Sequence, residues 1–406
     1  MNRNGQTHER APTHEMCAYY ASQDILPTHA GFKSPDDLTA YAKLRAEVFG
    51  RRLSLPRQVF RTARLLEFGP DSGENSLVFA QWGAACTLYE PNIKAHANIR
   101  SYFTRFGLSS SLVDLRSASV AECADSPPDE KFDIIDAEGF IFTVKPDSLW
   151  MGLFARLLND SGFVIVSYVE AYGSFFELLL KVIHARVRFL TGMNSIDCAS
   201  QLYAAKWASI PHTRAFASWV MDVLDNPFVR LKYFVEPQAL CRQMHDAGFL
   251  LYSSWPPYKD GLSVDWIKKP LTREERLKSQ ERFISRSRLS HFLGRTCFLI
   301  ATSSETENLL WSAVTLVDGL VESFDCRQSI QCRAQLAEVL HVVDSARITT
   351  CGEDVRALTQ ALESAQQILR LLEDCAVDEV VRFCNEDPAF IASWGAPAHY
   401  AVFCRL

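Results

Sequence analysis

Short apolar runs separated by helical stretches set the pattern of the first half of the chain. ARLLEF (63–68), ACTLYE (85–90), SSLVDL (110–115), FDIIDA (132–137) and GFVIVSY (162–168) read as strands. Between them, ENSLVFAQWG places Leu77, Val78 and Trp82 on one side and stops at Gly83. PNIKAHANIRSYFTRFG then runs to a second stop at Gly107. Strands and helices in strict alternation predict an α/β fold, a mostly parallel sheet with helices on both faces.

The alternation breaks after the fifth strand. Residues 172–235 are aromatic-rich and too long for a simple crossover, which predicts a lid insertion or substrate wall. EPQALCRQMHDAGFLLYSSW then resumes with a helix and a strand, and the apolar run TCFLIATS is expected to close the sheet. Glu274, Glu275 and Glu281 interrupt the basic segment between them at helical spacing, so it reads as a solvated helix. Beyond Glu305 come long amphipathic helices with apolar residues three and four apart, a helical module that could cap the site or dimerise. The final run, HYAVFCRL, reads as a strand pairing back onto an edge.

Residues 1–33 have no apolar period and carry Thr-His-Glu twice, at 7–9 and 13–15, which predicts a mobile arm rather than a metal site. The expected organisation is an arm over 1–33, an α/β domain over 34–303 with its lid, and a helical module over 304–406.

Charge and composition narrow the function classes. A chain that is 48% hydrophobic and 22% charged has the makeup of a compact soluble protein. A net charge of −6 supplies no basic field for a phosphate backbone, so nucleic acid is not the expected partner. The richest apolar run, FFELLLKVIHARVRFL, is broken by Glu177, Lys181, His184, Arg186 and Arg188, so no membrane span is expected. Twelve cysteines at irregular spacings, without C-x-x-C or a zinc pattern, read as reduced thiols of a cytoplasmic protein that holds no metal.

The sharpest chemical signal is LLEFGPDSGENS, residues 65–76: a strand, a glycine turn and a helix start. Glu67 closes the strand, and the turn runs Gly69, Pro70, Asp71, Ser72, Gly73. The two glycines let a ligand approach the backbone and open the helix, while Ser72 or Asn75 is expected to satisfy helix-start amides. Glu90 ends the next strand about 20 residues beyond Gly69, the spacing at which an acid reaches both hydroxyls of a bound ribose. Pro91 and Asn92 follow it and begin a helix. A dinucleotide enzyme would show G-x-G-x-x-G here, but the chain reads G-P-D-S-G-E. A plain connecting turn is the bland alternative.

With those residues the chain resembles the class I S-adenosylmethionine-dependent methyltransferases, whose first motif is acid-x-G-x-G-x-G and whose second is an acid ending the next strand. Asp71 stands where the middle glycine would be. The resemblance covers about residues 60–170 and the closing strands, and implies a Rossmann-like fold. It further implies that the turn at Gly69, Pro70, Asp71 and Gly73, with Asn75 just beyond it, lies along the methionyl part of S-adenosylmethionine, with Glu67 near its amino group. Glu90, with Pro91 and Asn92 behind it, would hold the ribose, and Ser117 would flank adenine. Asp136 would lie near the methionyl group or the acceptor. S-adenosylhomocysteine is the implied product, and no metal is required.

Methyl transfer from a sulfonium needs an aligned nucleophile more than covalent help. Acceptor-site candidates are Asp136 and Glu138 past the fourth strand, and Tyr168, Glu170, Tyr172, Glu177 and His184 past the fifth, expected to share one rim. Of these, Asp136, Glu138, Glu170, Tyr172 and His184 are the expected catalytic set. An acidic, aromatic pocket suits a small amine-bearing acceptor and N-methylation. A hydroxyl acceptor, on a sugar or natural product, would need a base such as His184. A degenerate binding scaffold whose helices recruit a partner is the non-catalytic alternative, and the C-terminal helices are a candidate homodimer surface.

Overall fold

The computed structural model describes residues 11–23, 31–211, 215–259, 270–294, 302–345 and 352–405. The chain opens with helix α1 (Ala11–Gln23), where the polar sequence predicts a mobile arm; the rest of that arm up to residue 30 lies outside the described residues. Met16 explains the helix: it is buried, and α1 packs on the short turn Ile141–Thr143. Helix α2 (Pro35–Ala46) starts at a capping box in which the Asp37 amide donates to Ser34 Oγ and the Ser34 amide to Asp37 Oδ2.

From there the alternation expected from the sequence appears in order: β1 (Arg64–Phe68), α3 (Glu74–Gln81), β2 (Ala85–Tyr89), α4 (Ile93–Arg105), β3 (Leu112–Arg116), α5 (Val120–Asp125), β4 (Phe132–Glu138), α6 (Asp147–Leu157) and β5 (Leu158–Val169). The next helices are α7 (Phe175–Thr191), α8 (Ser195–Ala208), α9 (Phe216–Trp219) and α10 (Pro237–Asp246), and β6 (Phe249–Trp255) follows. Next come α11 (Arg273–Arg286), α12 (Arg288–Leu293), α13 (Ser304–Glu322), α14 (Cys326–Ser345), α15 (Gly352–Glu373), α16 (Val377–Glu386) and α17 (Pro388–Ala392). The last element is β7 (Ala398–Arg405).

Seven strands form one sheet in the order β3-β2-β1-β4-β5-β7-β6. β1 pairs in parallel with β2 and β4, β2 with β3, and β4 with β5, while β6 and β7 are antiparallel. The run HYAVFCRL is therefore not an edge strand: β7 sits inside the sheet between β5 and β6. It takes the place that TCFLIATS was expected to fill, most of which falls outside the described residues. HYAVFCRL suits an interior place because Ala401, Val402 and Phe403 are all buried.

The chain divides into two compact units. The first holds Met1–Tyr168, Pro237–Gln280 and His399–Leu406, and the second Val169–Glu236 and Glu281–Ala398. In the first unit the apolar face under α2, α3 and α4 is built from Leu65, Phe79, Leu88, Ile99, Ile134 and Ile165, with the Phe60 and Phe79 rings stacked at 5.0 Å. The second unit gathers into one helical body both the stretch expected as a lid and the helices expected as a separate module. α7 packs on α13, α13 on α14, and α14 on α15, around Leu179, Val314, Leu336 and Leu362. Two features shape α7 and α8: Gly192, at φ 72°, ends α7, and the Asn194 side chain caps α8. Among the described residues no helix is long and apolar enough to cross a membrane.

Candidate active site

The first unit places the glycine turn and both acidic strand ends side by side. β1 and β2 run in register from Arg64 opposite Ala85 to Phe68 opposite Tyr89, so the turn at Gly69 and the carboxylate of Glu90 leave neighbouring strand tips. The Gly69 amide donates to the Tyr89 carbonyl at 2.9 Å. Gly69 has φ 65°, and a Cβ there would lie 2.9 Å from the Phe140 ring. Gly73 has φ 90° and would press a Cβ to 2.9 Å from the Ile99 side chain. Between them Asp71 takes the left-handed conformation at φ 51°, so the residue that replaces a glycine keeps the glycine's backbone shape.

Glu90 fastens this turn. Its Oε2 accepts from the Asp71 amide at 3.0 Å and its Oε1 from the Asn92 amide at 2.7 Å. Burial pushes its carboxyl up to about 7, the two amide hydrogen bonds opposing and Asp71 adding to the rise. Pro91 is half-buried between them, and the Asn92 side chain caps α4 by accepting from the Lys94 amide at 3.1 Å. His96 reaches the Glu90 carbonyl through Nε2 at 2.8 Å.

The residues expected to cap α3 have side-chain partners of their own. Gly73 is the residue before the helix and offers no side chain, the Ser72 hydroxyl donates to Glu74, and Asn75 Oδ1 accepts from the Tyr41 hydroxyl at 2.8 Å. Ser117 is exposed just beyond β3, two residues before the Ser119 cap of α5.

A second cluster lies one strand over. Glu67 is opposite Asp136 in the β1–β4 register, so both side chains leave the same face of the sheet, and Glu138 follows two residues along β4. Glu67 is buried and accepts from the Ser76 hydroxyl. Burial pushes its carboxyl up to about 8; the Ser76 bond and Arg45 oppose this, while Glu138 and Glu90 add to it. Glu138 is held by Arg45, whose Nη1 donates to Oε2 at 3.0 Å while Nη2 donates to Oε1, and by the Tyr400 hydroxyl at 2.8 Å. Arg45 lies 4.6 Å over the Phe49 ring. Asp136 is fully buried, neither of its oxygens takes an N–H or hydroxyl donor among the described residues, and the Glu138 carboxyl is the acid it shares a proton with. Burial, then Glu138 and Glu67, hold its carboxyl well above the usual range, with Arg45 opposing. Sequence reasoning missed Arg45 and Tyr400, which lie 93 and 262 residues from Glu138.

The remaining candidates have partners of their own. Tyr168 belongs to the first unit and shares a hydrogen bond with Tyr258, which meets His399 Nδ1 at 2.6 Å. Glu170, Tyr172, Glu177 and His184 belong to the second unit. Glu170 has no exposed surface: Oε1 accepts from Arg288 Nη1 at 3.2 Å and Oε2 from the Gly173 amide at 2.6 Å. The Tyr172 ring lies 4.3 Å beneath the same guanidinium. His184 is buried in α7, its Nε2 against the Ser195 carbonyl at 3.0 Å, and burial lowers its pKa. The expectation of an open acidic rim is thus corrected at Glu170, because an arginine 118 residues away closes it. Glu177 is half-buried on α7.

Known proteins bear directly on this arrangement. A family model described as a methyltransferase domain matches residues 39–254, a stretch that includes β1 through β6 and exceeds half of the chain. The chain belongs to the methyltransferase-domain family. That family places it among the class I S-adenosylmethionine-dependent methyltransferases. The chain is similar to the solved structure of StiE O-MT residues 961–1257, at 13% identity and a TM-score of 0.28, over 34% of this chain and 49% of that one. It is also similar to the CcbJ methyltransferase from Streptomyces caelestis (16%, TM-score 0.27, 35% and 56%) and to an S-adenosylmethionine-dependent methyltransferase from Mesorhizobium loti (16%, 0.27, 32% and 57%). The chain spans about half the length of these structures. No curated protein matches its sequence.

The donor set of this cleft suits S-adenosylmethionine. A sulfonium and an ammonium call for buried acidic groups that can ionise beside them, which Glu67 and Asp136 offer. A ribose diol calls for a carboxylate at a strand tip, where Glu90 stands.

Proposed function

We propose that this protein transfers a methyl group from S-adenosylmethionine to the amine of a small polar metabolite. The observation that carries the reading is the bare carboxylate of Asp136 beside Glu67, a buried site short of positive charge. Such a site favours a cationic or amine-bearing occupant over an anionic one.

Each residue has a part in this reading. Glu90 holds the ribose hydroxyls while its amide bonds keep the turn at Asp71 and the cap at Asn92 in place. Glu67 and Asp136 face the methionyl cations. Glu138 is held in place by Arg45 and Tyr400. When bound, the cofactor supplies an already activated methyl group. What remains for the protein is to align the acceptor nitrogen with that group and exclude water, which accounts for most of the acceleration. A neutral amine needs no strong base, whereas a hydroxyl would. That difference favours the amine, because His184, the base expected for a hydroxyl, is committed to the Ser195 carbonyl.

Mass spectrometry of reactions with candidate amines and alcohols tests the acceptor: a gain of about 14 Da on nitrogen is expected, and the same gain on oxygen would replace the amine reading. Calorimetry tests the cofactor. Glu90→Gln should weaken S-adenosylhomocysteine at least about tenfold, the worth of one charge-assisted hydrogen bond. Failure of the unaltered protein to bind it would favour a non-catalytic scaffold.

A further inference from the structure

The acid cluster of the first unit contains three carboxylates and one guanidinium. Arg45 directs both terminal nitrogens to Glu138, whose Oε2 also takes the Tyr400 hydroxyl, and Glu67 takes the Ser76 hydroxyl. Asp136 receives none of these donors and is fully buried. The groups around it are Glu67 on β1, Glu138 on its own strand, Arg45 on α2, and Tyr400 on β7; toward β5 its register neighbour is the apolar Ile165. With all three acids ionised the cluster would bury a net charge of about −2, and a carboxylate without donors is the costliest member to ionise.

We propose that Asp136 holds a proton in the cofactor-free cleft and releases it when the sulfonium-bearing cofactor enters, so that the site distinguishes the charged donor from its neutral thioether product. The proposal rests on the cofactor reading of the cleft. Its charge balance is closed: one positive charge enters at sulfur, the Asp136 O–H bond breaks, and the proton goes to solvent. Once the sulfur–methyl bond has broken with its electron pair kept by sulfur, the positive charge is gone from that position and Asp136 takes a proton back from solvent. The raised pKa of the Asp136 carboxyl, caused by burial and by Glu138 and Glu67, agrees with this geometry.

Calorimetry of the full chain with S-adenosylmethionine and S-adenosylhomocysteine, each in two buffers of different ionisation enthalpy, reads the proton directly. Close to one more proton should leave with the sulfonium ligand, and the affinity ratio between the two should grow by up to about tenfold per pH unit where Asp136 titrates. Asp136→Asn, close in shape, should make the two proton counts equal and the ratio independent of pH while S-adenosylhomocysteine still binds. Equal proton release and a flat ratio in the unaltered protein, with both ligands bound, would overturn the proposal and leave the cofactor reading standing. An extra proton that survives Asp136→Asn and disappears in Glu67→Gln would overturn the assignment to Asp136. Binding of neither ligand would remove the cofactor reading itself.

Discussion

Each of the two units buries one arginine among three carboxylates, and the two clusters behave in opposite ways. In the second unit Arg288, 1% exposed, sends Nη1 to Glu170, Nη2 to Glu236 and Nε to Glu307. The Gly173 amide and the Ser285 hydroxyl take further oxygens of Glu170 and Glu307. In the first unit Arg45 gives both terminal nitrogens to Glu138 and leaves Asp136 bare. The ratio of charges is the same; the direction of the guanidinium decides the role. A cluster whose carboxylates are shared among the nitrogens is closed and holds the chain together, whereas one with a bare carboxylate is the one for which a cationic occupant is proposed.

Removing the arginine of the closed cluster should have the largest effect. Arg288→Ala leaves buried carboxylates without a counter-charge, and urea denaturation should show a loss of about 3–5 kcal/mol. A loss below about 1 kcal/mol would mean that the second unit does not depend on this cluster. The open cluster should respond to pH. The Glu67 carboxyl sits at about 8 in the folded chain against an ordinary value of 4.5, so the folded state holds a proton that the unfolded state has already released. Cofactor-free stability should therefore fall as pH rises from about 4.5 to about 8, and Glu67→Gln should flatten part of that fall in thermal melts. Glu170, raised to about 7, contributes the same sign over a shorter window. The smallest effect belongs to Asp71→Gly. It relieves a left-handed residue at the cost of chain entropy and keeps the amide that Glu90 uses, so stability should move by no more than about 1 kcal/mol. S-adenosylhomocysteine affinity, read by calorimetry, should hold within about threefold, well under 1.4 kcal/mol.

Much of the first unit was legible because its signals are local. The five parallel strands, the glycine turn and Glu90 each announce themselves within a dozen residues through apolar runs, turn residues and spacing. The left-handed Asp71 was legible too, since few other residues tolerate that conformation. What escaped the sequence is long-range. Nothing near Glu138 announces Arg45 or Tyr400, and nothing near Glu170 announces Arg288, yet these partners separate a spare carboxylate from a satisfied one. The strand order escaped for the same reason: periodicity marks HYAVFCRL as a strand but does not say that it lies between β5 and β6.

The position of β7 bears on how the molecule is made. It pairs with β6 across the whole of the second helical excursion, so β5 and β6 cannot be bridged until residues 281–398 have been synthesised. On the ribosome the half-finished β6 must wait with unpaired amides while more than a hundred residues emerge, a slow, high-contact-order closure. Nascent chains halted before that strand should expose an adhesive edge and draw chaperones to it.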